Sequence, residues 1–161
     1  MKKLCIVAVA ALGFTFGAQA QEGFNLGGFI GVTTGDVSDV YGLDFGVDAN
    51  YMFDVSDQFQ VGPALGYYHS LPKSDFKDVI DAAQFLPIAA SGKFMAAEDF
   101  SIGADLGYAL GLDDGNDGGF YYRPKVGYTI ADGMDLQLSY TGVSMDGGSW
   151  SSVNLGVMFQ L

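Results

Sequence analysis

The sequence predicts an all-β protein, an eight-stranded antiparallel up-and-down transmembrane β-barrel. Three observations support this prediction. Apolar residues alternate with small or polar ones over long segments, glycine accounts for 24 of 161 residues, and short acidic turns separate the segments. Only 16% of the residues are charged, whereas about 25% is typical of soluble domains. All of these features fit strands that hold one apolar face against lipid.

The segment 100–112 shows the alternation most clearly. One face is apolar from Phe100 through Leu106 to Leu112, and the other carries glycine, serine, alanine and Asp105. A strand of this length rises about 40 Å, and at a tilt of about 40° it covers about 30 Å, the thickness of the hydrocarbon core of a bilayer. A helix of the same segment reaches only about 20 Å, which is too short to cross.

Seven further segments repeat this pattern, and turn signals such as Asp132-Gly133 separate them. Pro63 and Pro124 lack an N–H for the ladder, so local bulges are expected there. An even number of strands places both ends of the barrel domain on one side. We therefore expect short turns at 54–57, 96–99 and 131–134 in the periplasm, and connections at 35–40, 71–82, 113–119 and 145–149 outside. The predicted strands are 24–34, 41–53, 58–70, 84–95, 100–112, 120–130, 135–144 and 150–161.

The N-terminus predicts a secretory signal peptide over residues 1–20, followed by a barrel domain over 21–161. Lys2 and Lys3 precede a short apolar run that ends in Ala18-Gln-Ala20, an A-x-A cleavage site. Cys5 is expected to leave with this peptide, so the exported chain contains no cysteine for a disulfide. It carries 19 acidic residues against five basic ones, seven less Lys2 and Lys3. This charge excludes nucleic acid as a partner.

Alternation alone fits two opposite arrangements of the barrel. A soluble lipid-carrier barrel would hold the apolar face inside and the glycine face outside. We favour the membrane arrangement because small residues suit the narrow interior of eight strands, and because tyrosine and phenylalanine bracket long apolar bands as in aromatic girdles. The sheet must then close, since an open edge in hydrocarbon leaves unsatisfied backbone groups.

The cleavage site at 18–20, the eight alternating segments and the last strand, Val153-Asn-Leu-Gly-Val-Met-Phe-Gln-Leu161, together resemble the small outer-membrane β-barrel family of the OmpA/OmpX type. The resemblance implies a monomer in the outer membrane of a Gram-negative-type cell, in contact with outer-membrane lipid and lipopolysaccharide. It also implies that Val157, Phe159 and Leu161 form a signal for the barrel-insertion machinery. The chain departs from the family pattern here, because its aromatic residue lies two places before the end.

The inward face collects charged side chains, and charges enclosed in a narrow barrel must pair because isolated burial is costly. We therefore expect an ion-pair network that fills a polar lumen. The alternative is a narrow path for ions or small solutes lined by the same groups. The residues of this expected network are Asp44, Asp48, Lys93, Asp105, Arg123 and Lys125.

Two further motifs were weighed as chemical sites. His69-Ser70 suggests the serine–histidine pair of a lipid-modifying barrel enzyme, but no acidic partner follows at a defined spacing, so no enzyme is predicted. The stretch from Asp113 to Gly119 has Gly115 where a calcium loop needs a ligand and no closing glutamate, so neither a metal nor a cofactor is predicted. The expected function is a structural or surface-interaction role in the cell envelope.

Overall fold

The computed structural model describes residues 23–76 and 79–161, so the predicted signal peptide lies outside the described residues. The described chain forms eight long strands, the second of which is interrupted at Met52. A 3₁₀ turn, Gly35–Val37, lies in the first connection. The strands are β1 (Phe24–Thr34), β2 (Tyr41–Tyr51 and Phe53–Ser56), β3 (Phe59–Pro72), β4 (Ala83–Met95), β5 (Phe100–Gly111), β6 (Gly119–Ala131), β7 (Met134–Met145) and β8 (Gly148–Gln160).

The sheet closes on itself. Each strand pairs antiparallel with the next along the chain, and β8 pairs antiparallel with β1 over ten residue positions, from Asn25 opposite Gln160 to Thr34 opposite Ser151. The ring therefore leaves no sheet edge, as backbone groups in hydrocarbon require. The predicted eight-stranded up-and-down barrel is confirmed.

The apolar side chains point outward. In β5, Ile102 and Leu106 are 49% and 55% exposed, whereas Asp105 and Ala109 on the opposite face are only 1% and 0% exposed. The same alternation holds in the other strands, so an apolar outer surface surrounds a largely polar interior. This excludes the soluble lipid-carrier arrangement. No helix within the described residues is long and apolar enough to cross a membrane.

The two ends of the barrel differ in the length of their connections. We call the end with residues 35–40, 73–82, 112–118 and 146–147 the long-loop end, and the end with residues 57–58, 96–99 and 132–133 the short-turn end. One predicted turn is shifted: β2 continues through Asp54 to Ser56, and the turn lies at Asp57-Gln58 rather than at 54–57.

The prolines are accommodated without the bulges that the sequence analysis expected. Pro124 pairs with Ala104 on the β5 side, while on the β7 side the ladder is interrupted between Tyr122 and Lys125 and resumes in the same register. Pro63 likewise pairs with β4 and faces the interruption of β2 on its other side. Each proline thus lies at a gap in one of its two ladders, where no N–H is needed, and the register of the sheet does not change.

Aromatic side chains enter the lumen where glycine makes room. Phe29 packs on Tyr68 with ring centroids 4.3 Å apart. A Cβ on Gly46 would come within 2.5 Å of the Phe29 ring, so this glycine is required for the close approach. Towards the long-loop end, Phe85 packs on Trp150 with centroids 5.2 Å apart. The cluster they belong to consists of Phe29, Tyr68, Phe85, Ala109, Tyr121, Val143 and Trp150.

Candidate functional site in the barrel lumen

Arg123 occupies the centre of the lumen. The residue is 3% exposed, and its guanidinium donates from Nε to Asp105 Oδ2 at 2.9 Å and from Nη1 to Asp48 Oδ2 at 2.6 Å. Nη1 also donates to the Tyr68 hydroxyl at 2.6 Å. Asp105 lies directly opposite Arg123 on the neighbouring strand, but Asp48 is on β2, four strands away around the ring in either direction. The guanidinium therefore joins opposite walls of the barrel.

Lys125 completes the central cluster. Its Nζ donates to Asp105 Oδ1 at 2.6 Å and to Ser91 Oγ at 3.1 Å. Asp105 thus accepts from both cations, one on each carboxylate oxygen. We call Asp48, Asp105, Arg123 and Lys125 the central charge cluster. Two carboxylates and two cations cancel, so the cluster has no formal net charge, and the pairing offsets the cost of burying each charge.

Lys93 lies apart from the central charge cluster, although the sequence analysis placed it in one network with the others. Its Nζ forms an ion pair with Asp135 Oδ2 at 2.8 Å, with side chains 23% and 18% exposed. Asp135 Oδ1 also accepts from Thr129 Oγ1 at 2.8 Å. Asp135 is not among the residues predicted for the network, but it is two and four positions from the inward-facing Gln137 and Ser139, and this alternation identifies it as inward-facing.

Asp44 also departs from the expected network. Its carboxylate is fully buried, and Oδ1 accepts from Thr33 Oγ1 at 3.0 Å. No lysine or arginine of the described residues forms an ion pair with it, and Oδ2 has no hydrogen-bond partner there. Asp44 faces the lumen from the same strand as Asp48, but it lies four residues, or about 13 Å, closer to the long-loop end. Its position along the strand therefore leaves it without Arg123 as a partner.

A layer of hydroxyls and rings covers the central charge cluster. The Tyr68 hydroxyl lies 3.3 Å from that of Tyr121 and 3.2 Å from Thr141 Oγ1, and the Asn154 amide donates to the same threonine at 3.1 Å. Trp150 stands edge-on to Tyr68 with centroids 6.2 Å apart. A small cavity beside Arg123 measures about 10 Å³, which is room for about one water molecule.

The two motifs weighed as chemical sites take structural positions. Ser70 is buried in the lumen with its hydroxyl 3.3 Å from Thr33 Oγ1, whereas His69 points to the opposite face and stacks on Phe45 at 4.9 Å. They do not form a nucleophile–base pair. Asp113 Oδ2 accepts from the backbone N–H of Gln84 at 2.8 Å and so ties its loop to β4. The described residues contain no group of three or more histidine, cysteine or acidic side chains able to hold a metal.

The residues of the predicted insertion signal lie at the end of the last strand. Phe159 and Leu161 are 43% and 56% exposed on the outer surface, in the same alternating set as Val157. Leu161 lies just beyond β8, and its N–H donates to the Phe24 carbonyl at 2.9 Å. Recognition of these residues by the insertion machinery stays a prediction.

A closed ring of eight tilted strands with an apolar exterior and a packed, charged interior is a transmembrane β-barrel. The chain belongs to the family described as Outer membrane protein beta-barrel domain, whose sequence profile matches residues 6–160. This membership locates the protein in the outer membrane of a Gram-negative cell. No curated protein sequence matches the chain.

Several solved structures share the fold. Ail, the attachment invasion locus protein of Yersinia pestis, aligns with a TM-score of 0.60 at 15% identity, over 85% of this chain and 95% of Ail. The outer membrane enzyme PagL aligns with a TM-score of 0.58 at 13% identity, over 85% of this chain and 99% of PagL. Neisserial surface protein A aligns with a TM-score of 0.51 at 14% identity, over 87% and 98%. An attachment protein and an enzyme share one architecture, so the fold leaves the specific role open.

Proposed function

We propose that this protein is a monomeric, non-conducting component of the outer membrane that acts through its long-loop end, where acidic loops share divalent cations with the phosphate groups of lipopolysaccharide. The single observation that carries the proposal is the filled lumen. The central charge cluster ties opposite walls together, and the ring and hydroxyl layer lies directly against it. A function that does not run through the barrel has to reside on its surface.

The charge of the long-loop end supports the choice of partner. Among the described residues its loops carry eight aspartates and one lysine, Lys73. Carboxylates at this density attract divalent cations, which prefer oxygen ligands, and cations held between two acidic surfaces bridge them. The aspartates are Asp36, Asp39, Asp75, Asp81, Asp113, Asp114, Asp117 and Asp146.

The same charge argues against a polyanionic ligand in direct contact. Ail has been solved in complex with the heparin analogue sucrose octasulfate. A sulfated sugar needs basic side chains at its site, and the described loops of this chain offer Lys73 against eight aspartates. We therefore expect cation-mediated rather than direct contact with phosphate or sulfate groups.

Binding of lipopolysaccharide to the protein in bilayer nanodiscs tests the proposal. Retention is expected in calcium and its loss in a chelator. The variant Asp36→Asn/Asp39→Asn/Asp114→Asn/Asp117→Asn is expected to lower calcium-dependent retention at least about tenfold. The control removes four charges from the short-turn end, as Asp57→Asn/Glu98→Gln/Asp99→Asn/Asp132→Asn, and should bind as the native protein does. Equal binding by both variants would contradict the proposed partner.

Conductance in planar bilayers tests the other half of the proposal. The native protein is expected to show no unitary openings, because the central charge cluster and the layer of hydroxyls and rings occupy the lumen around Arg123. Stable openings in the native protein that change size in Arg123→Ala would overturn the non-conducting role in favour of a narrow channel. Analysis of lipid A from cells with and without the protein checks that no lipid-modifying activity is present, as the separated Ser70 and His69 lead us to expect.

A further inference from the structure

Asp44 is a buried carboxylate for which the described chain supplies no countercharge. It is 0% exposed, and its Oδ2 atom has no hydrogen-bond partner among the described residues. The other described charges of the lumen are already matched. The central charge cluster is neutral, and Lys93 is paired with Asp135. An isolated buried carboxylate is costly, so Asp44 needs a neutralising positive charge, and no lysine or arginine of the described residues supplies it through an ion pair.

The surroundings of Asp44 consist of oxygen atoms. Thr33 Oγ1 lies 3.0 Å from Asp44 Oδ1 and 3.3 Å from Ser70 Oγ. The hydroxyl of Ser152 lies beside the same carboxylate. The barrel register creates this grouping, because Ser70 pairs directly with Asp44 across β2 and β3, while Ser152 pairs with Thr33 across β8 and β1.

The oxygen site is close to the long-loop end. Asp44 lies three residues after the start of β2, and Ser70 lies two residues before the end of β3. Both strands meet the long loops there. The acidic loops raise the local concentration of cations at this entrance, because a surface of one sign attracts ions of the other.

We propose that Asp44, Thr33, Ser70 and Ser152 form a binding site for a hard monovalent cation, with sodium as the ion that fits their chemistry. Carboxylate and hydroxyl oxygens are ligands for hard cations, and a hydroxyl can bind a metal through an oxygen lone pair while its O–H donates to a carboxylate. A single carboxylate is neutralised by a single positive charge. Asp44 Oδ2, which has no hydrogen-bond partner among the described residues, is the free ligand atom of the site.

A proton is the competing way to neutralise Asp44. A protonated carboxyl needs an acceptor for its O–H group, and a donor left unmatched in a buried site is destabilising. A proton on Oδ2 would have no acceptor among the described residues, whereas a proton on Oδ1 would have Thr33 Oγ1 at 3.0 Å, so the infrared spectrum of the carboxyl distinguishes a proton from a cation. A bound cation instead uses the lone pairs of Oδ2 and of the surrounding hydroxyls.

Thermal unfolding of the protein in nanodiscs, followed by the fluorescence of Trp150, tests the proposal. The midpoint is measured in equal concentrations of sodium chloride and N-methyl-D-glucamine chloride, whose cation is too large for the lumen. We expect sodium to raise the midpoint of the native protein by at least about 3 °C, since a ligand that binds only the folded state stabilises it. Asp44→Asn should abolish this difference, and the loop variant Asp36→Asn should keep it.

A second variant covers the case in which Asp44→Asn does not fold. Thr33→Val keeps the shape and the carboxylate but removes one oxygen ligand, so it should shift the sodium dependence to higher concentration. Equal midpoints of the native protein in the two salts would overturn the proposal. So would an undiminished sodium effect in Asp44→Asn, or an infrared band of a protonated carboxyl that is lost in that variant. None of these outcomes bears on the binding of lipopolysaccharide.

Discussion

Arg123 donates hydrogen bonds to acceptors on three other strands, namely Asp105 on β5, Asp48 on β2 and Tyr68 on β3. The planar guanidinium makes this possible, because its donors diverge in a fixed fork, and a lysine offers only a single point of charge. The Arg123 side chain also lies over the Tyr68 ring, with the guanidinium carbon 6.0 Å from its centroid. One residue therefore supports both the charged and the aromatic layer of the lumen.

Replacing Arg123 with methionine is expected to destabilise the barrel by about 3–5 kcal/mol, because Asp48 and part of Asp105 would remain buried without their cation. Urea unfolding from lipid bilayers, read from the fluorescence of Trp150, measures the free energy of unfolding. The lumenal position of Trp150 makes it a direct reporter.

Lys93→Met is the matched control for Arg123→Met. It also removes an ion-pairing cation, but the pair with Asp135 is partly exposed and should contribute at most about 1 kcal/mol. Equal losses of unfolding free energy in the two variants would show that the central charge cluster stabilises the barrel no more than the partly exposed pair does.

The side-chain facing of most residues was predictable from the sequence, because a strand has a period of two and one face touches lipid. The partners of the inward charges were not. Arg123 and Asp48 are 75 positions apart, and their contact depends on which strands face each other across the closed ring. The period of two therefore predicts which charged side chains face the lumen, but it does not predict that Lys93 and Asp44 lie apart from the central charge cluster.

Among the elements, β8 has two roles. It closes the ring against β1, and it carries the last outward-facing residues of the chain. Phe159 lies near the rim although two residues follow it, because it pairs with Leu26, the third residue of β1, while Leu161 extends past the strand.

Phe159→Ala is expected to slow assembly by the barrel-insertion machinery several-fold. The reason is that an exposed aromatic at the end of the last strand is the feature that the family resemblance assigns to recognition. The measurement is the rate of folding into proteoliposomes with and without that machinery. Leu155→Ala, on the same face and 49% exposed, is the control and should retain the assisted rate. Similar slowing in both variants would mean that general hydrophobicity, rather than a terminal signal, governs insertion.

At the scale of the whole molecule, closure between β1 and β8 is the property that removes every sheet edge. Residues 21–161 contain no cysteine, so engineered pairs in the barrel domain can test it without competing thiols there. Ile30 and Leu155 are opposite each other across this seam. Cross-strand neighbours have Cα atoms about 4.5–5.5 Å apart, within the range that a disulfide bridges.

Ile30→Cys/Leu155→Cys is expected to form a disulfide on oxidation in the membrane, seen as altered mobility on a boiled, non-reducing gel. The control pair Ile30→Cys/Leu138→Cys should remain reduced, because β8 lies between its two strands. Formation of the control disulfide instead would indicate a different strand order. Native, unboiled protein should also migrate differently from the boiled form, as a closed barrel does.

The bridge from Arg123 to Asp48 runs along a diameter of the barrel, and this has a mechanical consequence. A cylinder of eight strands squeezed by lateral pressure in a bilayer flattens into an ellipse, which lengthens one diameter and shortens another. Stretching the axis between β2 and β6 pulls directly on the ion pair of Arg123 and Asp48, and the adjoining cavity has room for only about one water molecule to replace a lost partner. The ion pair between Arg123 and Asp48 therefore resists extension of this diameter and helps to keep the cross-section round.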